Sequence, residues 1–160
     1  MSTNLTVNNN TFAYPVPGDE PGWGEGATGW AVEVTEVLNN LQGTDDIPET
    51  SFTVANNNAV ATDVVGLVFN PASVRAGVID YSIYRSTSIT ELAEKGKMEI
   101  IYKNGASSGT KWSIGRVFFG DDAGVVFTMT DAGQVQYTST NLSGTGYSGI
   151  MKFEAVVTQQ

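Results

Sequence analysis

The sequence contains no cysteine and no histidine. Without cysteine the chain has no disulfide and no thiol nucleophile. Without either residue it lacks the usual zinc ligands, and histidine is also the side chain that most often transfers protons near neutral pH. These absences exclude most familiar enzyme chemistries. We therefore predict that the protein is not an enzyme and that it uses no cofactor and no metal.

Long apolar runs are also absent from the 160 residues. A membrane helix needs roughly 20 consecutive apolar residues, and no stretch approaches that length. The first ten residues have neither the basic residues nor the apolar core of a secretory signal peptide. We expect no membrane partner and no passage through the general secretory route.

Basic residues are missing from the first 50 positions, which carry eight acids and a charge of −8. Residues 51–160 carry nine acids and eight bases, a charge of −1. Nucleic-acid binding requires a basic surface, so we predict no nucleic-acid partner. The acidic leader either suits a basic groove on a partner or keeps an exposed segment in solution, and the second interpretation is slightly favoured.

The stretch from Tyr14 to Trp23 has the composition of an attachment arm. Its prolines restrict the backbone to extended conformations. Trp23 is a large apolar side chain flanked by flexible glycines, and such a side chain needs a surface supplied by another molecule. We predict a flexible or partner-ordered tail over residues 1–13, followed by an arm that docks through Tyr14, Pro15, Pro17, Pro21 and Trp23.

A helical pattern begins at Thr28 and is expected to end at Gly43. Its apolar residues recur at spacings of three and four, as in a short coiled coil. A helix of this length is marginal alone, so it must pack on its own β domain or on other copies of the chain, and the two options are equally compatible with the pattern. In the second case the chain forms a homotrimer through Trp30, Val34, Val37 and Leu41.

The remainder of the chain has the pattern of an antiparallel β-sandwich, jelly-roll-like or immunoglobulin-like. We predict an arm and helix over residues 1–43, a hinge over 44–50 and the sandwich over 51–160. Short runs of β-branched and aromatic residues alternate with turn residues. They predict eight strands near Ser51–Ala55, Ala59–Phe69, Val78–Arg85, Lys97–Lys103, Trp112–Phe119, Gly124–Thr130, Gln134–Thr140 and Ile150–Val157.

Three local features bear on turns and sites. The sequence around Gly133 predicts a tight hairpin, because glycine tolerates positive φ. The run Leu92–Gly96 fits either a helical turn or, more readily, a hairpin that joins two strands. Paired acids at Asp45–Asp46 and Asp121–Asp122 lack the spacing of a catalytic pair or a calcium loop.

Most aromatic residues are expected in the core. The exceptions are Trp112, which follows a polar turn, and Tyr147, which lies in a glycine-rich loop. Aromatic side chains beside small polar residues suit adaptable recognition surfaces. These two residues are therefore candidate ligand contacts.

Four stretches together resemble small structural proteins of tailed bacteriophage virions: Tyr14–Gly24, Ala27–Ala31, Val135–Thr140 and Thr145–Phe153. The resemblance implies a head or neck fibre or a capsid decoration protein, made in the host cytoplasm and located in the virion. It implies a homotrimer whose N-terminal arm docks on a larger virion protein while the β domain projects. The alternative within the same resemblance is a tail-fibre module that recognises a host surface glycan through loops of the β domain.

Overall fold

The computed structural model describes residues 3–7, 10–14, 28–35 and 45–159. Contacts divide the chain into two compact units, Met1–Thr44 and Asp45–Gln160. No helix among the described residues is long and apolar enough to cross a membrane.

The first unit contains a β-hairpin that the sequence analysis did not predict. Strands β1 (Thr3–Val7) and β2 (Asn10–Tyr14) pair antiparallel, and Val7 pairs with Asn10. The prediction of a flexible or partner-ordered tail over residues 1–13 was therefore wrong for the residues of these strands. Apolar and polar residues alternate over residues 4–7 of β1, as is typical of a strand.

One helix, α1, covers residues 28–35 and begins where it was predicted to begin. The rest of the predicted helix, including Val37 and Leu41, lies outside the described residues. Pro15, Pro17, Pro21 and Trp23 of the predicted arm also lie outside them, whereas Tyr14 is the last residue of β2.

The second unit has two antiparallel sheets, as the sequence predicted. Its strands are β3 (Ile47–Thr53), β4 (Thr62–Val68), β5 (Val74–Ser86), β6 (Glu91–Tyr102), β7 (Trp112–Gly120), β8 (Val125–Met129), β9 (Gln134–Ser139) and β10 (Ser148–Gln159). A five-stranded sheet has the order β3-β10-β5-β6-β7, and a three-stranded sheet has the order β4-β9-β8. In the larger sheet β10 returns to lie beside β5, which gives β10-β5-β6-β7 the strand order of a Greek key.

The core lies between the two sheets because alternate residues of each strand are apolar and face inward. On β5, for example, Ile79, Tyr81 and Ile83 are buried while their neighbours point outward. Facing them from the smaller sheet are Val64, Leu67, Val125, Phe127, Val135 and Tyr137.

Four strands begin earlier than predicted: β3, β5, β6 and β10. Strand β3 starts at Ile47, so it includes residues of the segment 44–50 that was predicted as a hinge, and the Asp46 carboxylate accepts a hydrogen bond from the Val157 backbone amide at 2.8 Å. Strand β6 starts at Glu91 and pairs with β5, so a hairpin joins these two strands as predicted, but its connection is residues 87–90 and Leu92–Gly96 is strand. This position of the strand requires glycine, because a Cβ on residue 96 would lie 2.7 Å from the Tyr81 hydroxyl.

The predicted hairpin around Gly133 is confirmed. Strands β8 and β9 pair antiparallel, and Gly133 has a φ of +87°. A Cβ on Gly133 would lie 1.9 Å from the carbonyl oxygen of Phe69. The turn therefore needs glycine both for its backbone conformation and for its close approach to a neighbouring chain segment.

Candidate functional site: the outer face of the five-stranded sheet

The five-stranded sheet has one face in the core and one face that we call the outer face. The outer face consists of the residues of β5, β6, β7 and β10 whose side chains point away from the core. They are Val78, Asp80, Ser82 and Tyr84 of β5; Ala93, Lys95, Lys97, Glu99 and Ile101 of β6; Ser113, Gly115, Val117 and Phe119 of β7; and Ile150, Lys152, Glu154 and Val156 of β10.

Large apolar side chains are concentrated on this outer face. Phe119 is 82% exposed and Val117 is 71% exposed. The other exposed apolar residues of the face are Val78, Tyr84, Ile101, Ile150 and Val156. At their exposed fractions these seven side chains together present on the order of 600 Å² of apolar surface, which is divided among the margins of the face and is not one continuous patch.

Strand register fixes where the apolar residues lie. Ile150 pairs with Tyr84 at one end of the face, and Val156 pairs with Val78 at the other. Phe119 and Val117 lie along β7, which is the edge strand. The apolar residues therefore border the outer face on three sides.

Charged side chains occupy the middle of the outer face. Lys97 forms an ion pair with Asp80 on the adjacent strand, with 2.9 Å between nitrogen and oxygen. Lys152 forms a looser pair with Glu49 of β3 at 3.4 Å. Glu154 pairs in register with Asp80, which places two like charges opposite each other, and cross-strand like charges are destabilising.

Two large open depressions lie on this face, and a small one of about 120 Å³ lies in its charged middle, among Asp80, Lys95, Lys152 and Glu154. The first large depression, of about 530 Å³, is lined by Tyr84, Phe119, Ile150 and the two lysines Lys95 and Lys152.

The second depression, of about 1040 Å³, lies at the opposite end of the face, among Val78, Ile101, Val117 and Val156. Gly115 helps to open it, because a Cβ at that position would have no neighbour within 4 Å. The two large depressions make the face uneven, so that side chains of a partner surface can fit into it.

A second notable feature lies inside the sandwich, where Arg85 is fully buried. Its Nε donates to the Tyr147 hydroxyl at 3.1 Å, and the two side chains also stack, with the guanidinium carbon 5.5 Å from the ring centre. Its terminal nitrogens donate to the Asn56 side chain at 3.1 Å, to the Thr140 carbonyl at 2.6 Å and to the Ala123 carbonyl. All of these acceptors are neutral, so backbone and side-chain dipoles stabilise the charge.

Glu94 is the other buried charged residue of the sandwich, and it lies close to Arg85. Its Oε1 accepts hydrogen bonds from the Tyr81 hydroxyl at 2.6 Å and from Arg116 Nη1 at 3.2 Å. Its Oε2 accepts from the Ala123 amide at 2.8 Å. Burial first, and then the hydrogen bond and negative charge of Glu94, raise the pKa of the Tyr81 phenol well above its usual value.

These contacts give the buried charges a structural role. Arg85 binds the carbonyl of Ala123 and Glu94 binds its amide, so the two side chains hold the β7–β8 connection from both sides. Asp122 of this connection contacts Arg116 at 3.5 Å and accepts a hydrogen bond from Gly124. Asp121 accepts a hydrogen bond from the Ala93 amide at 3.1 Å.

The acid pairs of the sequence are thus engaged in local contacts. Asp46 is bonded to β10, and the Asp45 carboxylate contacts the Gln159 side chain at 3.5 Å. Within the described part of the chain, no group of three or more acids could hold a metal ion.

The structure corrects one of the two candidate loop contacts. Trp112 was expected to be exposed, but it is only 7% exposed. It packs against Phe69, with ring centres 6.2 Å apart, and against Tyr102, with ring centres 4.9 Å apart. The polar turn before it does not keep it in solvent, because Trp112 is the first residue of β7 and points toward the core.

Tyr147 is partly exposed, but its hydroxyl is already engaged. It accepts from Arg85 and donates to the Val54 carbonyl at 2.8 Å. In this arrangement the hydroxyl fixes the glycine-rich loop to the sandwich.

Two predicted oligomerisation residues fall on helix α1. Trp30 is 40% exposed and Val34 is half-buried. Val32, which does not belong to the predicted seam, is also exposed. The helix therefore presents apolar side chains to solvent on more than one side.

No family model matches the sequence, and no curated protein matches it. Among solved structures, this chain has a likeness to a tailspike protein of Acinetobacter baumannii phage AM24, with a TM-score of 0.34 and 11% identity. The likeness covers 71% of this chain and 26% of the tailspike, so the chain corresponds to about a quarter of that protein. A likeness of this size identifies neither a fold nor a function.

Proposed function

We propose that the protein is a non-enzymatic structural component of a tailed-phage virion, a head or neck fibre or a capsid decoration protein. The observation that carries the proposal is the outer face of the five-stranded sheet. It exposes a large apolar surface, including Phe119 and Val117, on a regular and well-packed sheet. A surface of this kind is typical of proteins that act by association.

The interior of the sandwich supports the same proposal. Arg85 and Glu94 are the buried charged residues that could be mistaken for catalytic groups. Both are hydrogen-bonded to backbone groups and to side chains of the sandwich itself. They join strands to loops and give the domain rigidity. Rigid domains with an apolar outer surface suit repeated assembly on a particle.

The resemblance in the N-terminal sequence supplies the mode of attachment. In our proposal the arm of Tyr14, Pro15, Pro17, Pro21 and Trp23 docks on a larger virion protein, and the sandwich projects from the particle. Helix α1 and the residues after it join three copies through Trp30, Val34, Val37 and Leu41. Three arms on one fibre then bind with avidity.

Incorporation of a Trp23→Ala protein into particles that lack their own copy tests this proposal. Large aromatic anchors commonly contribute 2 kcal/mol or more to a binding interface, so we expect a loss of about 30-fold or more in incorporation at limiting concentration. The matched control changes Asp19 and Glu20 to their amides, which should alter mainly the association rate and its salt dependence. Unchanged incorporation of Trp23→Ala would contradict the docking role.

The melting temperature of the same variants separates docking from folding. If Trp23 docks on the particle, its removal leaves the melting temperature of the purified protein unchanged. A lowered melting temperature with normal incorporation would show instead that the arm packs on its own chain.

A receptor-binding module is the second candidate. The depression lined by Tyr84, Phe119 and the two lysines Lys95 and Lys152 offers aromatic faces beside polar groups, the combination on which sugars bind. This observation replaces Trp112 and Tyr147 as the basis of the alternative. Binding of the full chain to a glycan array, lost in Phe119→Ala and retained in Val126→Ala on the other sheet, would favour recognition over assembly.

A further inference from the structure

The order of side chains along β10 is self-complementary. Its outward residues are Ile150, Lys152, Glu154 and Val156, and all four side chains point to solvent. The pattern is apolar, positive, negative, apolar. When the same strand is laid against itself in the reverse direction, each apolar residue meets an apolar residue and each charge meets its opposite.

The neighbouring strand has a similar order in register, although only one of its two central residues is charged. The outward residues of β5 are Tyr84, Ser82, Asp80 and Val78, with apolar residues at the ends and polar residues in the middle. Lys152 pairs with Ser82 and Glu154 pairs with Asp80, so the two patterns have the same centre.

The outward residues of β7, at one edge of the sheet, are arranged about the same centre. On β7, Phe119 and Val117 are the outward residues nearest to it. They pair with Lys95 and Lys97 of β6, which lie in the same rows as Ser82 and Asp80. The centre is therefore a line that crosses the sheet perpendicular to its strands, between the row of Lys152 and the row of Glu154.

We infer that the outer face binds the outer face of a second copy of this chain about a two-fold axis along that line. The axis brings Lys152 against Glu154 of the partner subunit, twice per contact. It also brings Ile150 against Val156 of the partner subunit and Tyr84 against Val78 of the partner subunit. Phe119 lies against Val117 of the partner subunit at the edge.

The size of the face fits such a contact. Its apolar residues present on the order of 600 Å², and stable interfaces bury about 800 Å² per partner when the polar rim is included. Two sheets that pack face to face lie about 10 Å apart, a distance that side chains such as those of Phe119 and Tyr84 can fill. Isologous contacts about a two-fold axis are the commonest form of self-association.

Residues of β6 oppose the arrangement. Lys95 meets Lys97 of the partner subunit twice per contact, so these like-charge pairs equal the Lys152–Glu154 pairs in number, and Ile101 meets Glu91 of the partner subunit, which is not apolar. Lys97 is already paired with Asp80 in its own chain at 2.9 Å, and this carboxylate lies beside both lysines in the contact. The same contact reduces the repulsion between Glu154 and Asp80 within each chain, because Glu154 gains a lysine partner.

This inference rests on the proposed function, because it identifies a second copy of the chain as the partner of the outer face. The two can be tested separately, because purified protein tests the pairing and particles test the function. The contact uses the second unit, whereas the proposed trimer uses the first, so both together give six copies. If only the two-fold contact forms, two copies result.

Exchange of charge on β10 tests the inference with the full chain. In Lys152→Glu, two repulsive acid pairs replace the two attractive pairs, and in Glu154→Lys two repulsive lysine pairs replace them. We expect either variant alone to weaken the pairing about tenfold or more, measured by sedimentation and native mass spectrometry. Both positions are exposed, so melting temperatures should stay near that of the unaltered protein.

Mixing the two variants provides the decisive arm. A Lys152→Glu chain against a Glu154→Lys chain has only attractive pairs, so an equimolar mixture should form mixed assemblies at least as tightly as the unaltered protein. The control is Asp63→Lys, which changes the net charge by the same amount as Glu154→Lys but lies on the other sheet.

Three results would overturn the inference. The unaltered protein forms only single copies or only trimers at micromolar concentration, the two charge variants pair as tightly as the unaltered protein, or the mixture pairs no better than either variant alone. None of these results bears on incorporation into particles, which Trp23→Ala tests separately.

Discussion

Replacement of Arg85 by methionine should be the most damaging single change to the sandwich among the buried charges. The side chain is fully buried, and its donors satisfy the side-chain oxygens of Asn56 and Tyr147 and the carbonyls of Ala123 and Thr140. Methionine fills much of the same volume but donates no hydrogen bond. Arg85→Met therefore isolates the hydrogen bonds from the loss of packing.

The magnitude follows from the groups that lose their donor. A buried polar group without a partner costs roughly 1–3 kcal/mol, and Arg85→Met leaves the Ala123 carbonyl in that state. The Thr140 carbonyl keeps the Asn57 amide as a donor and the Asn56 side chain keeps the Leu142 amide, and burial of the guanidinium itself is unfavourable, which offsets part of the loss. We expect the free energy of unfolding to fall by about 3 kcal/mol, or roughly 8–15 °C in melting temperature for a unit of this size.

Urea and thermal unfolding followed by circular dichroism measure this loss. The matched control is Lys97→Met on the neighbouring strand, which removes an exposed ion pair with Asp80 and should cost under about 1 kcal/mol. Tyr147→Phe, which removes one acceptor of Arg85, should lie between the two. An Arg85→Met protein that melts within about 3 °C of the unaltered one would refute the view that this cluster holds the sandwich together.

Three further predictions concern a turn, a loop and the leader. Gly133→Ala should cost about 3 kcal/mol in urea unfolding, because φ is +87° there and the new Cβ would collide with the Phe69 carbonyl. The Asp131 carboxylate accepts a hydrogen bond from the Gly109 amide, and this bond is the largest of several contacts that lower the pKa of Asp131. The stability that the carboxylate contributes should be present above the ordinary carboxyl pKa of about 3.9 and lost as the pH falls through the lowered pKa. The melting temperatures of the unaltered protein and Asp131→Asn should therefore differ at pH 7 and converge as the pH falls below the lowered pKa of Asp131. Val37→Asp should dissociate the proposed trimer in native mass spectrometry without lowering the melting temperature of the sandwich; a lowered melting temperature with unchanged assembly would show that the helix packs on its own chain.

Local signals were sufficient to predict the sandwich. Alternation of apolar and polar residues gave all eight strands of the second unit, and the turn residues around Gly133 gave the β8–β9 hairpin. These features depend on neighbours in the sequence, where the pattern is visible. The strand ends were less accurate; the start of β3, for example, depends on pairing with β10, which is distant in the sequence.

The roles of particular side chains were harder to predict because they depend on distant contacts. Arg85 continues the inward alternation of Ile79, Tyr81 and Ile83, but its acceptors come from four other segments of the chain. Trp112 follows a polar turn, which suggested exposure, yet its partners Phe69 and Tyr102 enclose it. No local pattern contains this information.

The outer face was missed for a different reason. Alternation shows that a strand has two faces but does not say which one is covered. On β10, both Ile150 with Val156 and Met151 with Phe153 are apolar, and only the fold shows that the second pair is in the core. The self-complementary order of Ile150, Lys152, Glu154 and Val156 is visible in the sequence once the outward face is known.

Our proposal that this chain is a virion component is tested most directly by quantitative mass spectrometry of phage particles purified from the source of the chain. Intact particles are separated from free protein on a density gradient, and the copies of this chain per particle are counted against a major capsid protein. We expect the chain to sediment with the intact particle at a fixed copy number that is a multiple of three. Its absence from intact particles, with the protein found only in the free fractions, would contradict a structural role in the virion.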